Sequence, residues 1–145
     1  MVISAFMQVQ GEQVVVASME RVLVVDDYPD SAEVICTLIR ILGHDSRAAR
    51  SGKDALEIAL AFDPALVILD LELPDVSGYD VARELRRWRG PALHITALTG
   101  WNQPERRMLA FAAGCDDYIL KPADEAKVRG IVATMRRLAA RRQQP

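Results

Sequence analysis

Strand-like runs alternate with helical patterns along most of this sequence, and this alternation limits the fold more than any other feature. The clearest run, Ala65–Leu69, is apolar without a break, which is typical of a strand buried on both faces and too short for a typical helix. Similar runs are Arg21–Asp26, Leu93–Leu98 and Asp117–Leu120. A short polar run, His44–Ala49, is predicted to be a strand at the edge of a sheet.

Apolar residues at helical spacing follow each of these runs. The first helix is predicted to begin at Pro29 and to end at Gly43, the second to end before Pro64, and the fourth to extend from Pro104 to Gly114. The predicted core-facing residues are Ala32, Ile35, Leu38, Ile39 and Leu42 in the first helix, Ala55, Ile58, Ala59 and Phe62 in the second, Val81, Ala82, Leu85 and Trp88 in the third, and Val128, Ile131, Val132, Met135 and Leu138 in the last. The third helix also carries arginines that we interpret as a solvated face: Arg83, Arg86, Arg87 and Arg89.

Strands that alternate with helices predict an α/β fold with a parallel sheet covered on both faces. Right-handed crossovers limit the topologies, and the polar second strand belongs at an edge. The prediction is a single doubly wound (βα)5 flavodoxin-like domain with strand order 2-1-3-4-5 and a crevice between strands 1 and 3. This domain is predicted to cover residues 20–140, between a flexible N-terminal extension, 1–19, and a C-terminal tail, 141–145. Within the extension, Gln13–Ala17 is a candidate short strand.

The composition excludes several classes of function. The chain has 145 residues, 50% hydrophobic and 26% charged, which indicates one globular domain with a real core. A net charge of −2 gives no reason to expect a nucleic-acid partner, and no apolar run approaches the ~20 residues of a membrane helix. No Lys or Arg precedes Arg21, which argues against a signal or transit peptide. Because Cys36 and Cys115 match no metal-ligand spacing, we predict reduced thiols in a cytoplasmic protein.

Chemically active residues follow four of the predicted strands. Asp26 and Asp27 end the first strand, Asp70 ends the third, Thr99 follows the fourth and Lys121 follows the fifth. The carboxyl ends of parallel strands meet at one rim, which is where open α/β sheets place their ligands. Three carboxylates, a hydroxyl and an amine are therefore predicted to converge there.

The charges of this group indicate its chemistry. Two carboxylates ~4 Å apart repel each other by ~4 kcal/mol at an effective dielectric constant near 20, and a bound cation would offset that repulsion. A site rich in oxygen ligands suits Mg²⁺, which keeps waters and phosphate oxygens in its coordination shell. Lys121 and Thr99 can hold the oxygens of a phosphoryl group, and Asp70 can act as the nucleophile. The sequence therefore predicts an aspartyl phosphate at Asp70.

The ordered set of motifs resembles a known family. It comprises Asp26-Asp27, LDLELPDVSG with Asp70, ALTG with Thr99, and YILKP with Tyr118 and Lys121. Across residues 20–140 the chain resembles the receiver domains of two-component response regulators. The segment ALTGWNQPERRMLAFAAGCDDYILKP is most similar to receivers attached to hybrid sensor histidine kinases.

The resemblance implies a role for each acidic residue. Asp70 would be the phosphoacceptor, receiving the group from a phosphohistidine of a sensor histidine kinase or a histidine phosphotransfer protein. Mg²⁺, or Mn²⁺ in its place, would be held by the side chains of Asp27 and Asp70, by Asp26 mainly through water, and by the backbone carbonyl of Glu72. Such a domain modifies itself and is not a turnover enzyme, although it can lose the phosphoryl group by autodephosphorylation.

The resemblance also implies how a signal would leave the site. Lys121 would bind the phosphoryl group, Thr99 would move toward it, and Tyr118 would change rotamer in step. These movements would alter the face made by the fourth helix, the fifth strand and the fifth helix, where a downstream protein would dock. A homodimer is a further partner that the resemblance allows. Because little chain follows Lys121, we expect no separate output domain, and the chain is either a single-domain regulator or a piece of a hybrid kinase.

Three alternatives were compared with the receiver hypothesis. A dehalogenase-like phosphatase would need a second Asp where this chain has Glu72, together with a cap insertion that is missing. A nucleotide or flavin binder would need a G-x-G-x-x-G or P-loop motif, and the sequence has neither. The remaining alternative is a constitutive protein-interaction module with a receiver fold that is never phosphorylated, against which the intact group of site residues argues.

Overall fold

The computed structural model describes residues 5–9, 12–16 and 19–142, and it begins with an antiparallel hairpin. Strands β1 (Ala5–Val9) and β2 (Glu12–Val16) pair so that Ala5 lies opposite Val16. The candidate strand at Gln13–Ala17 corresponds to β2. Residues 1–4, 10–11, 17–18 and 143–145, which belong to the predicted extension and tail, lie outside the described residues, so the flexibility of the extension stays a prediction.

A parallel five-stranded sheet follows the hairpin. The strands are β3 (Arg21–Val25), β4 (Asp45–Ala49), β5 (Leu66–Asp70), β6 (His94–Thr99) and β7 (Asp117–Leu120). Their order in the sheet is β4-β3-β5-β6-β7, and every neighbouring pair is parallel. Counted along the chain, these five strands have the order 2-1-3-4-5, which confirms the predicted topology.

Five α-helices connect and cover the strands: α1 (Pro29–Ile41), α2 (Gly52–Phe62), α3 (Gly78–Arg89), α4 (Pro104–Ala112) and α5 (Glu125–Arg142), with a 3₁₀ turn at Gly90–Ala92. Helices α1 and α5 pack on one face of the sheet, while α2, α3 and α4 pack on the other. The sheet is therefore doubly wound, as the alternation of patterns predicts. None of the helices within the described residues is long and apolar enough to cross a membrane.

Two apolar clusters fill the space on either side of the sheet. Leu23, Leu69 and Leu85 belong to the cluster beneath α2, α3 and α4, and Ile35 and Met135 belong to the cluster between α1 and α5. Helix boundaries follow the expected signals, since Pro29 begins α1 and Gly43 adopts a φ of +93° after it.

The predicted core position of Trp88 is wrong. Its side chain remains 38% exposed in the last turn of α3, and the guanidinium carbon of Arg89 lies 5.4 Å from the centroid of its ring. Leu85, one turn earlier, is 1% exposed, so the buried stripe of α3 ends before the helix does.

Candidate functional site

Adjacent strands bring the acidic residues together. Val25 of β3 pairs with Leu69 of β5, so the carboxyl ends of these strands lie side by side. Asp26 follows β3 and is 1% exposed, Asp70 ends β5 and is 0% exposed, and Asp27 is exposed. One carboxylate oxygen from each of these three residues lies within 4.8 Å of the others. The predicted convergence of carboxylates is therefore present in the structure.

Asp26 leaves one of its oxygens without a protein partner. Its Oδ1 accepts a hydrogen bond from the backbone N–H of Tyr28 at 2.9 Å, whereas its buried Oδ2 has no hydrogen-bond partner among the described residues. A buried carboxylate oxygen in this state is costly unless a ligand compensates it. Together, the carboxylates of Asp26, Asp27 and Asp70 form a set of hard ligands that fits a small divalent cation.

Asp70 is held at both of its carboxylate oxygens. Oδ1 accepts a hydrogen bond from the backbone N–H of Glu72 at 2.9 Å, and Oδ2 accepts one from Lys121 Nζ at 2.8 Å. Burial raises the pKa of Asp70 to about 7, with a further contribution from the charge of Asp26, while the bonds from Lys121 and Glu72 act in the opposite direction. Asp70 is thus a buried carboxyl group whose ionisation depends on the hydrogen bonds and charges around it.

Lys121 follows β7, the strand at one edge of the sheet, and its side chain reaches Asp70 at the end of β5. Its side chain is 34% exposed, and its backbone N–H donates to the Thr99 carbonyl at 2.8 Å. Burial alone lowers the pKa of Lys121, but the hydrogen bond and charge of Asp70, with the charges of Asp26 and Glu72, outweigh burial and raise it. Lys121 therefore remains a cation beside the acidic group.

Thr99 and Tyr118 belong to a connected set of hydrogen bonds. Thr99, 1% exposed, donates its hydroxyl to Glu72 Oε1 at 2.5 Å and accepts a hydrogen bond from the backbone N–H of Trp101 at 3.1 Å. The hydroxyl of Tyr118 donates to the Trp101 carbonyl. The β6–α4 loop thus connects both predicted switch residues to Glu72.

The loop between β5 and α3 is anchored at two points. Asp75 accepts hydrogen bonds from the backbone N–H groups of Gly52 at 2.9 Å and Lys53 at 3.0 Å, and these bonds lower the pKa of Asp75. At Gly78, a Cβ atom would lie 2.5 Å from the Leu71 Cα and 2.6 Å from the Asp70 carbonyl oxygen. The start of α3 therefore packs directly on the backbone of the residue that carries the central carboxylate.

An open groove lies beside the rim, between the start of α1 and the β7–α5 connection. Its volume is about 620 Å³, and its lining includes Asp26, Asp27, Tyr28, Val34 and Lys121. The groove gives a ligand or a partner side chain access to the carboxylates from one side.

Sequence reasoning missed an arginine at the opposite, amino end of the sheet. Arg86 donates to the carbonyls of Gly90 at 2.6 Å, Leu93 at 2.5 Å and Gly114 at 2.6 Å, and to Asp116 Oδ2 at 2.7 Å. The interpretation of this residue as part of a solvated face is therefore wrong. The interpretation is correct for the exposed Arg83 and Arg87, which pair with Asp80 and Glu84 on their own helix. The arginine run itself gave no signal that distinguished Arg86.

Comparison with known proteins agrees with this architecture. Residues 22–133 match the family model described as the response regulator receiver domain. The chain is 41% identical over 101 residues to the probable transcriptional regulatory protein TcrX of Mycobacterium tuberculosis, covering 70% of this chain and 43% of TcrX. It is 38% identical over 117 residues to the DNA-binding response regulator MtrA of Mycolicibacterium smegmatis, covering 81% of this chain and 49% of MtrA. The chain thus spans about half the length of these curated relatives or less.

Solved structures share the same fold. The receiver domain of DrrB, activated with BeF3, superposes with a TM-score of 0.73 at 30% identity, covering 81% of this chain and 97% of that one. A CheY-like receiver domain protein from Methanospirillum hungatei JF-1 gives a TM-score of 0.76 at 24% identity, covering 81% and 94% of the two chains. The chain belongs to the response regulator receiver domains of two-component systems, which have a flavodoxin-like fold.

Proposed function

We propose that this receiver domain accepts a phosphoryl group on Asp70 from the phosphohistidine of a sensor histidine kinase or a histidine phosphotransfer protein. The observation that carries the proposal is the environment of Asp70, which is 0% exposed, bonded to Lys121 at 2.8 Å and clustered with the oxygens of Asp26 and Asp27. An aspartate that merely ends a strand has no requirement for a bonded lysine and two neighbouring carboxylates.

The acidic group is proposed to hold Mg²⁺, or Mn²⁺ in its place. Asp27 and Asp70 would supply carboxylate oxygens, Asp26 would act mainly through water, and Glu72 would contribute its backbone carbonyl. Two observations support this assignment: Asp26 Oδ2 has no hydrogen-bond partner within residues 5–9, 12–16 and 19–142, and the three carboxylates are clustered. When bound, the cation would neutralise charge that develops on the transferred phosphoryl group.

The side chains have separate tasks in the transfer. One carboxylate oxygen of Asp70 forms the new bond to phosphorus, while the bond from phosphorus to the partner's imidazole nitrogen breaks and its electron pair stays on that nitrogen. Lys121 Nζ, which donates to Asp70 Oδ2 in the structure, exchanges this partner for a phosphoryl oxygen. The result is an aspartyl phosphate, and the chain acts as an acceptor that is modified once per cycle, not as a turnover enzyme.

Phosphorylation replaces the carboxylate of Asp70 with an aspartyl phosphate that carries about −1.5 to −2 charges, and this change of charge and size at the rim biases the conformation of the domain. Thr99 would move toward the phosphoryl group, and Tyr118 would change rotamer in step, altering the face formed by α4, β7 and α5. Exposed apolar side chains on α4 support docking of a downstream protein on this face: Met108 at 71%, Leu109 at 52% and Phe111 at 45% exposure.

The direct test is the intact mass of the protein after incubation with Mg²⁺ and a small acyl phosphate donor. Wild type and the Asp80→Asn control, which changes an exposed carboxylate on α3, should each gain one phosphoryl group. Asp70→Asn should gain none. If wild type gains nothing from several donors or from a phosphorylated histidine partner, the proposal fails and a constitutive interaction module becomes the better assignment.

A further inference from the structure

The hydroxyl of Thr99 is already committed to a protein partner. It donates to Glu72 Oε1 at 2.5 Å, and it accepts from the backbone N–H of Trp101 at 3.1 Å. A threonine hydroxyl carries a single proton, so it can donate only one hydrogen bond at a time. Thr99 must therefore release Glu72 before it can donate to any group bound at Asp70.

Glu72 makes hydrogen bonds with both the proposed phosphoacceptor, Asp70, and the predicted switch residue, Thr99. Its backbone N–H donates to Asp70 Oδ1 at 2.9 Å, while its side chain accepts from Thr99. Charge-assisted hydrogen bonds of this kind are stronger than neutral ones. One residue thus joins the acceptor carboxylate to the loop that carries Thr99 and Trp101.

We propose that the Glu72 side chain is a latch, defined here as the hydrogen bond between Glu72 Oε1 and Thr99 Oγ1, which holds Thr99 in the unphosphorylated molecule. The latch competes with the phosphoryl group for the Thr99 proton and so sets how readily the phosphorylated conformation forms. Glu72 acts through Thr99 and is a positioning residue. This inference rests on the proposed function, because it requires a phosphoryl group at Asp70.

The latch differs in a measurable way from simple charge repulsion. A carboxylate near an incoming anion would oppose binding whether or not Thr99 is present. A latch opposes binding only while residue 99 has a hydroxyl to hold. The two explanations therefore separate when Glu72 and Thr99 are changed together.

The test measures the affinity for beryllofluoride, a phosphoryl mimic, by titration calorimetry at a Mg²⁺ concentration that saturates each variant. Glu72→Ala should tighten binding by about 3- to 10-fold, the range expected for releasing one hydrogen bond. Glu72→Gln, which keeps an acceptor oxygen but loses the charge, should fall between wild type and Glu72→Ala. In the Thr99→Ala background, Glu72→Ala should leave the affinity unchanged.

Thr99→Ser supplies a conservative rescue, because it restores the hydroxyl that the latch requires. In this background Glu72→Ala should again tighten binding, as it does with threonine. Equal tightening with Thr99 and with Thr99→Ala, or equal affinities for Glu72→Gln and Glu72→Ala, would overturn the latch and leave only charge repulsion. If wild type with Mg²⁺ does not bind beryllofluoride, the proposed function fails first, and the latch is overturned with it.

Discussion

At the amino end of the parallel sheet several basic and acidic side chains are paired with one another, whereas at the carboxyl end three carboxylates are gathered together. Arg86 bonds to Asp116, and His94 Nε2 lies 2.7 Å from Asp117 Oδ2. At the other end, Asp26 and Asp70 are buried beside each other, and Lys121 is bonded to only one of them. The same strands thus carry both arrangements.

The difference shows how one fold separates stability from function. Arg86 satisfies three backbone carbonyls in two connections, so its end of the sheet contributes to the free energy of unfolding. The carboxyl end retains a buried oxygen of Asp26 that has no partner in the part of the chain that the structure describes, and an acid with a raised pKa at Asp70. Perturbed and unsatisfied groups of this kind cluster at binding sites, where a ligand completes them.

The largest expected effect lies at the amino end. Arg86→Met should lower the free energy of unfolding by about 2–4 kcal/mol, because several carbonyls and Asp116 lose their donor. The measurement is urea unfolding followed by circular dichroism. Arg83→Met is the matched control and should cost less than ~1 kcal/mol, since Arg83 makes an exposed pair within its own helix. A similar loss of unfolding free energy in both variants, or a large change in Mg²⁺ affinity for Arg86→Met, would contradict the proposal that the amino end contributes stability and the carboxyl end binds the ligand.

The next effect concerns the pH dependence of stability at the carboxyl end. Burial raises the pKa of Asp70 to about 7 in the folded protein, so folding favours its protonated form, and this contribution is lost as the pH rises toward 7. Asp70→Asn cannot ionise, so without metal it should gain stability relative to wild type as the pH rises. The gain should be about 1–3 kcal/mol larger at pH 8 than at pH 5, measured by urea unfolding in chelator. A gain that is independent of pH would show that Asp70 does not titrate in this range.

Mg²⁺ should raise the melting temperature of wild type by offsetting carboxylate repulsion. At ten times its dissociation constant a ligand stabilises a folded protein by ~1.4 kcal/mol. Protons and the cation compete for Asp70, whose pKa is raised to about 7 by burial, so the affinity for Mg²⁺ should be about tenfold weaker at pH 6 than at pH 8. Asp27→Asn should weaken the response at both pH values. An unchanged response would remove Asp27 from the site.

The smallest effect is spectroscopic. Trp101 is 47% exposed, and its backbone N–H donates to Thr99 near the rim, so Mg²⁺ should alter its fluorescence. Trp88, in the last turn of α3, serves as the comparison. Trp101→Phe should remove most of the Mg²⁺-dependent signal, and Trp88→Phe should preserve it. If the signal survives Trp101→Phe, the coupling of this loop to the rim is wrong.

The residues that the sequence predicted correctly are those whose position follows from strand ends. Asp70 and Lys121 end strands of a parallel sheet, so topology alone brings them to one rim and into contact. The buried runs that define the strands are also clear in the sequence, because a strand covered on both faces is apolar along most of its length.

What the sequence could not predict depends on the direction of individual side chains. Nothing in the run of arginines on α3 distinguishes Arg86, which turns toward the carbonyls of the next two connections, from Arg87, which pairs within its helix. The bond between the Glu72 side chain and Thr99 is equally invisible, since it depends on rotamers in two loops. Trp88 shows the opposite error, because its apolar spacing predicted a buried side chain although it lies beyond the last buried turn of α3.

The close approach at Gly78 has a consequence for engineering this domain. Any side chain at this position would displace the backbone of Leu71 and the carbonyl of Asp70, so saturation mutagenesis scored by phosphorylation should accept only glycine there. Leu71 and Gly78 are therefore held in contact, so a reporter peptide or labelling tag inserted in this loop has to lie in the segment between them. Asp75 binds the start of α2 and Ser77 caps α3, so a tag placed between Asp75 and Ser77 would keep both of these anchors with the elements that they bind.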